Sequence, residues 1–293
     1  MSGWHWPSEV LQLSFGTIRT MTSATRNAQT DAGPRPASMA RTMLNKVPEA
    51  TIFFWVVKIM ATTVGETVSD YFNTTLNFGL VGTFFLMAAL LAAALVAQFR
   101  LRQYVPAIYW LSVVLISVVG TLITDYLHDD RGIALNPLTI IFSMALAVSF
   151  AIWYAREKTL SIHSIFTTKR ETFYWVTILC SFALGTAAGD LLGEQYIHSF
   201  WKAALIFSAF IAAVTIAHFT LGLNAILAFW LAYIVTRPLG ASIGDYLSAA
   251  KDEGGLNLGT TVVSAVFLIT IVAVVGYLSV TKADVIEIEA TTA

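Results

Sequence analysis

The stretch FWVVKIMATTVGETVSDY at residues 54–71 decides the fold, because the chain writes it four times. YWLSVVLISVVGTLITDY stands at 109–126, YWVTILCSFALGTAAGDL at 174–191 and FWLAYIVTRPLGASIGDY at 229–246, aligned without a gap. Trp55, Trp110, Trp175 and Trp230 each lie 15 residues before Asp70, Asp125, Asp190 and Asp245. Gly65, Gly120, Gly185 and Gly240 each lie five before the same aspartates. Self-similarity of this kind marks a chain assembled from repeated structural units. The steps between aspartates are 55, 65 and 55 residues, which suggests a unit duplicated and then duplicated again. A fourfold ring and a pair of pairs are equally compatible with that spacing.

From residue 46 to about 280 the chain around these segments is largely apolar. Hydrophobic residues make up 57% of it and charged residues 12%, against about 25% charged in soluble domains. Mean hydropathy is +0.71. Eight apolar segments can be read, at 51–71, 78–98, 106–126, 136–155, 172–193, 200–218, 222–247 and 258–280. Each is near the roughly 20 residues that a membrane-spanning helix needs. The expected fold is therefore an all-α membrane protein of about eight transmembrane helices in four two-helix repeats: 47–104, 105–165, 167–223 and 224–280. Residues 1–45 are polar and lack an apolar core, so they are no secretory signal. They read equally as a disordered cytoplasmic tail or as an over-long gene start before Met39 or Met43. Residues 281–293 read as a second cytoplasmic tail.

The bases set the expected orientation. Arg19, Arg26, Arg35, Arg41, Lys46, Arg100, Arg102, Arg156, Lys158, Lys169, Arg170 and Lys282 fall on one side of the spans, and only Arg131, Lys202 and Lys251 on the other. Both termini are thus expected in the cytoplasm. Repeats with an even number of spans insert the same way up, related by an axis along the membrane normal. Cys180, the single cysteine, excludes an internal disulfide framework. There is no GxxxxGK[ST] run for ATP, no cofactor motif and no basic surplus for nucleic acid.

The tryptophan–glycine–aspartate register resembles the bacterial membrane-protein family with four tandem DUF347 repeats, each with two transmembrane regions and a characteristic tryptophan. The resemblance covers about 47–280. It implies the architecture and a bacterial cytoplasmic (inner) membrane location. It implies no activity, since none was assigned to the repeat.

The repeated residues divide by chemistry. The tryptophans are expected in an aromatic belt at the cytoplasmic interface. The glycines permit close helix approach. An aspartate inside a span is costly, and one in every repeat suggests a shared site; the alternative is a solvated cap at each helix end. Glu66 sits one turn from Asp70, and Glu194 one turn from Asp190. The side holding the aspartates has ten acids against three bases, a balance that gathers cations. The expected cation-binding or coupling residues are Glu66, Asp70, Asp125, Asp190, Glu194 and Asp245, with Glu66, Asp70 and Asp190 as candidate metal ligands. Thr62, Thr63, Ser69, Thr121, Thr124 and Thr186 lie near them. Two bases lie within spans, Lys58 and Arg237, and intramembrane bases usually pair with acids. Helical depth matches Arg237 to Glu66 as a lock or a gate. Pro238 is expected to break the seventh span. The functional expectation is a transporter or exporter of a small cation, divalent ions included, with the bilayer and a cation or proton as partners. The alternatives are a non-transporting scaffold and an intramembrane enzyme. The enzyme is disfavoured because SIGDY, AAGDL and ITDY do not make the GxGD and YD signatures of an intramembrane aspartyl protease.

Overall fold

Leucine- and alanine-rich segments in an apolar solvent must satisfy their own backbone, and helices do so within one segment. A computed structural model describes residues 45–285, all of whose repetitive structure is helical. The readings made for residues 1–44 and 286–293, including Arg19, Arg26, Arg35 and Arg41, lie outside the described residues. Eight helices are long and apolar enough to cross a membrane, and the chain is a multi-pass membrane protein. They are α1 (Ile52–Asp70), α2 (Gly79–Arg100), α3 (Pro106–Asp125), α4 (Leu135–Glu157), α5 (Thr168–Asp190), α6 (Phe200–Leu221), α7 (Ala225–Ser248) and α8 (Thr260–Thr281).

The odd helices begin on defined caps. Side-chain oxygens of Thr51, Thr167 and Asn224 accept the first free amides of α1, α5 and α7, and Pro106 opens α3. In the first three repeats the α-helix ends at the aspartate and runs directly into a π-helical turn: Tyr71–Thr75, Tyr126–Asp130 and Leu191–Ile197. The aspartates thus sit at junctions inside longer helices rather than at helix ends. The expected break at Pro238 does not occur, and α7 is continuous through it. Proline removes one amide and leaves the carbonyl four residues earlier unpaired, and packed neighbours let a membrane helix carry that defect.

The four odd helices form a closed ring. Helix α1 packs on α3, α3 on α5, α5 on α7, and α7 back on α1. Each even helix lies mainly against the odd helix of the following repeat: α2 on α3, α4 on α5, α6 on α7, and α8 on α1. Each repeat thus completes its successor, and the fourth completes the first. Of the two arrangements open in sequence, the structure has the pseudo-fourfold ring.

Two contact sets repeat around it. At the glycines, a Cβ added to Gly65 would lie 2.6 Å from Ser117 Cβ; one on Gly120, 2.9 Å from Phe182 Cβ; one on Gly185, 2.6 Å from Arg237 Cβ; and one on Gly240, 2.7 Å from Thr62 Cβ. Each partner stands three residues before the glycine of the next repeat. The missing Cβ is what lets neighbouring odd helices meet. Nearer the termini, Phe54 packs on Trp110 (ring centroids 5.6 Å), Tyr109 on Trp175 (5.6 Å), Tyr174 on Trp230 (6.3 Å) and Phe229 on Trp55 (5.7 Å). Trp110, Trp175 and Trp230 are buried. They form an internal ring between repeats rather than the expected interfacial belt, because the neighbouring repeat offers each indole an aromatic face.

The even helices turn large apolar side chains outward, among them Phe85, Ile140, Met144, Leu205, Phe210 and Ile269. An apolar surface of this extent suits lipid. Both ends of the described chain lie on one face, where Glu49 N donates to Asp284 O (3.0 Å). There Lys46, counted among the orienting bases, is buried in an ion pair with Glu171 (2.6 Å), and Gln98 also donates to that carboxylate (3.2 Å).

The ring predicts a contrast between two glycines. Gly120→Ala, against Phe182, should cost about 1–3 kcal/mol by overpacking. Gly276→Ala, on the open face of α8 with nothing within 4 Å, should leave thermal unfolding in detergent unchanged. Equal behaviour of the two would contradict the glycine-mediated ring.

Candidate functional site

Aligned on the repeat glycine, the odd helices present matched layers to the axis. One residue after it stand Glu66, Thr121, Thr186 and Ala241; three before it, Thr62, Ser117, Phe182 and Arg237; seven before it, Lys58, Val113, Ile178 and Tyr233. Within these layers the charges come only from the first and fourth repeats.

Arg237 is fully buried. Its Nη2 donates to Glu66 Oε2 (2.8 Å), to Thr186 Oγ1 (2.7 Å) and to Thr121 Oγ1, and its Nη1 donates to the Thr62 carbonyl (3.2 Å). Its partners come from α1, α3 and α5, while it projects from α7, so one guanidinium ties all four odd helices together. Its stem runs along Gly185, where a Cβ would collide. The pairing of Glu66 with Arg237 expected from helical depth is present. All four repeats contribute to this layer, the second through Thr121. Hydroxyls hold the same level: Thr62 Oγ1 donates to Thr236 O (3.1 Å) and Thr124 Oγ1 to Ala183 O (3.1 Å), each across a helix interface.

Beyond this level, away from the termini, lie Asp70, Asp125, Asp190 and Asp245, all half-buried. Glu66 is a charge neighbour of all four; Asp70 also neighbours Asp125, Asp190 and Asp245, and Asp190 also neighbours Asp125 and Asp245. All four aspartates thus lie within charge range of Glu66. Glu194 is exposed at the mouth of this cluster, within charge range of Glu66, His128 and Asp129. His128 directs Nδ1 to the Ile133 carbonyl (2.8 Å).

The expected metal centre is not assembled. Among the described residues no three His, Cys, Asp or Glu side chains come together as a metal-binding group. Glu66, named with Asp70 and Asp190 as a ligand, instead gives its carboxylate to Arg237.

Lys58 lies on the terminal side of Arg237, fully buried. Its Nζ stands 4.2 Å from the ring centres of both Phe182 and Tyr233 and has no hydrogen-bond partner among the described residues. It forms no ion pair with an acid; its contacts are the aromatic faces, a cation–π arrangement. Sequence reasoning missed the tyrosines below it. The Tyr109 and Tyr174 hydroxyls are 2.5 Å apart, and Tyr104 donates to Asp284 Oδ2 (2.5 Å). Their one signal in the sequence is that the residue before the repeat tryptophan is tyrosine in repeats two and three and phenylalanine in repeats one and four.

The family described as "Repeat of Unknown Function (DUF347)" matches four times, over residues 53–104, 108–159, 173–222 and 228–284. No curated protein and no solved structure matches.

The Arg237–Glu66 pair should behave as a buried unit. Glu66→Gln or Arg237→Met alone should cost about 3–5 kcal/mol, because each strands a charge, and the double substitution much less than the two together. Thermal unfolding of the four proteins in detergent measures this. Additive losses would show that the two residues do not depend on each other.

Proposed function

The chain belongs to the DUF347 repeat family, and from that premise and its axial charges we propose that it transports a small cation across the bacterial cytoplasmic membrane, with both termini in the cytoplasm. One observation carries the reading: acids from all four repeats lie within charge range of Glu66, whose carboxylate pairs with the buried guanidinium of Arg237. A bundle needs neither feature to be stable. Acids grouped at a mouth raise the local concentration of cations, and ionisable groups inside a membrane bundle commonly mark an ion pathway.

In this reading the aspartates draw the cation in and Glu66 receives it. Arg237 is the competitor already in place: a tethered cation that occupies Glu66 when cargo is absent. Entry of cargo displaces the guanidinium from Glu66 and loosens the contacts to Thr121, Thr186 and Thr62 at the same time. Because those contacts join the four odd helices, their loss is a change that the whole ring can feel. The cargo is carried by transient carboxylate contacts, which suits passage better than a closed set of ligands would. Hard oxygen donors of this kind favour Na⁺, Mg²⁺, Ca²⁺ or Mn²⁺.

Proteoliposomes containing the purified protein, tested separately with Na⁺, Mg²⁺, Ca²⁺ and Mn²⁺, should show flux of at least one ion above empty vesicles. Asp70→Asn and Asp190→Asn should lower that flux about tenfold or more at low ion concentration, and less at saturation, since they weaken capture. Asp252→Asn, in the exposed turn Lys251–Glu253, should leave it near wild type. Absence of flux for all four ions would overturn the reading and favour a scaffold.

A further inference from the structure

The buried groups on the terminal side of Arg237 have no part in capturing a cation, yet they form a line. Lys58 Nζ lies against Tyr233. The Tyr233 hydroxyl has no hydrogen-bond partner among the described residues but neighbours Tyr174. Tyr174 and Tyr109 share a hydrogen bond. Tyr109 packs against Tyr104 with ring centroids 5.6 Å apart, and Tyr104 donates to Asp284. Tyr109, Tyr174 and Tyr233 are fully buried, and Asp284 is 1% exposed. Asp284 Oδ1 has no hydrogen-bond partner among the described residues. The line thus runs from mid-membrane to the face that carries both ends of the described chain.

Packing alone does not ask for these hydroxyls. At the position of Tyr109 and Tyr174 the other two repeats use phenylalanine in the same aromatic ring, so each hydroxyl is an addition to a contact that phenylalanine also makes. A hydroxyl both donates and accepts, which is the property a proton relay needs. A lysine without an acceptor can bind or release a proton, as an arginine cannot. Arg237 lies within charge range of Lys58.

We infer that Lys58 and the Tyr233–Tyr174–Tyr109–Tyr104–Asp284 line conduct the coupling proton of the transporter, between the middle of the membrane and the terminal face. This rests on the transport reading above. In each hop a hydroxyl takes one proton from one neighbour and passes its own to the next. The net change is one proton moved, with the Lys58 amine becoming an ammonium or the reverse; no other bond changes. Two links are closed hydrogen bonds. The Lys58–Tyr233–Tyr174 segment and the Tyr109–Tyr104 step close by side-chain rotation or through a water. Coupling follows from charge: an ammonium at Lys58 repels Arg237 towards Glu66 and holds the axis shut, and loss of that proton lets Arg237 withdraw and leaves Glu66 free for cargo. At the far end, burial raises the Asp284 carboxyl above its ordinary range while the Tyr104 hydroxyl works the other way, which suits a group that exchanges protons with the aqueous face.

The test uses the full protein in vesicles loaded with a pH-sensitive dye, with gradients of Na⁺ and of Mn²⁺ applied separately. Wild type should move protons opposite to the cation. The double variant Tyr109→Phe/Tyr174→Phe keeps the rings and loses the hydroxyls. It should lower proton movement at least tenfold, as should Lys58→Met, which carries no proton and leaves the axis free to open, while exchange of isotopic cation between equal concentrations on both sides stays within about twofold of wild type. Proton movement unchanged in both variants overturns the inference and leaves transport standing. Loss of isotope exchange in parallel with proton movement also overturns it, since the residues are then structural. A wild-type protein that moves neither cation overturns this inference together with the reading on which it rests.

Discussion

A guanidinium at the centre of a membrane bundle has to find its partners inside the protein, and the polar layer on the axis follows from how Arg237 finds them. No single helix could supply enough. Glu66 gives the opposing charge, Thr121 and Thr186 give hydroxyls at the same place in their own repeats, and Thr62 gives a backbone carbonyl freed from water by burial. Gly185 must lack a side chain for the arginine stem to pass. The pseudo-symmetry supplies the frame, and one substituted layer supplies the buried charges.

The ring itself is a solution to a different constraint. A two-helix repeat cannot bury both its helices alone, so each even helix covers the next repeat's odd helix, and closure from α8 onto α1 leaves no repeat uncovered. The indoles and glycines mark that closure at two levels, one by large side chains meeting and the other by the absence of a side chain. Because the odd helices touch lipid little and one another closely, polar groups can collect on the axis at low cost. The charged layer is placed at the α7–α1 contact, where the last repeat meets the first and where Pro238 removes an amide from the α7 ladder.

Much of this was legible in the residues. The register of Trp55, Gly65 and Asp70 with their three counterparts gives the repeats, and the depth of Arg237 relative to Glu66 gives their pairing. The geometry of the ring was not legible, because spacing along a chain does not say whether units close as a circle or as two pairs. The tryptophans were misplaced for a related reason: an interfacial and an internal indole look alike until the neighbouring repeat's Phe or Tyr is known to lie against it. Pro238 was over-read, since the rule for helices in water is relaxed where neighbours hold the backbone. The metal site failed because Arg237 already uses the Glu66 carboxylate, a competition that a list of acids does not display. The tyrosine line stayed hidden since its members lie on different helices and meet only after folding.

Transport of the kind proposed requires the Arg237–Glu66 contact to close the axis. Val113, fully buried at the level of Lys58, lies beyond that closure from the aspartate end. In a Cys180→Ser background, Val113→Cys can be challenged with a membrane-impermeant thiol reagent from the aspartate side of sealed vesicles. The account predicts no labelling while Glu66 is present and clear labelling once Glu66→Gln is added. Labelling with Glu66 intact, or none in either protein, would contradict it.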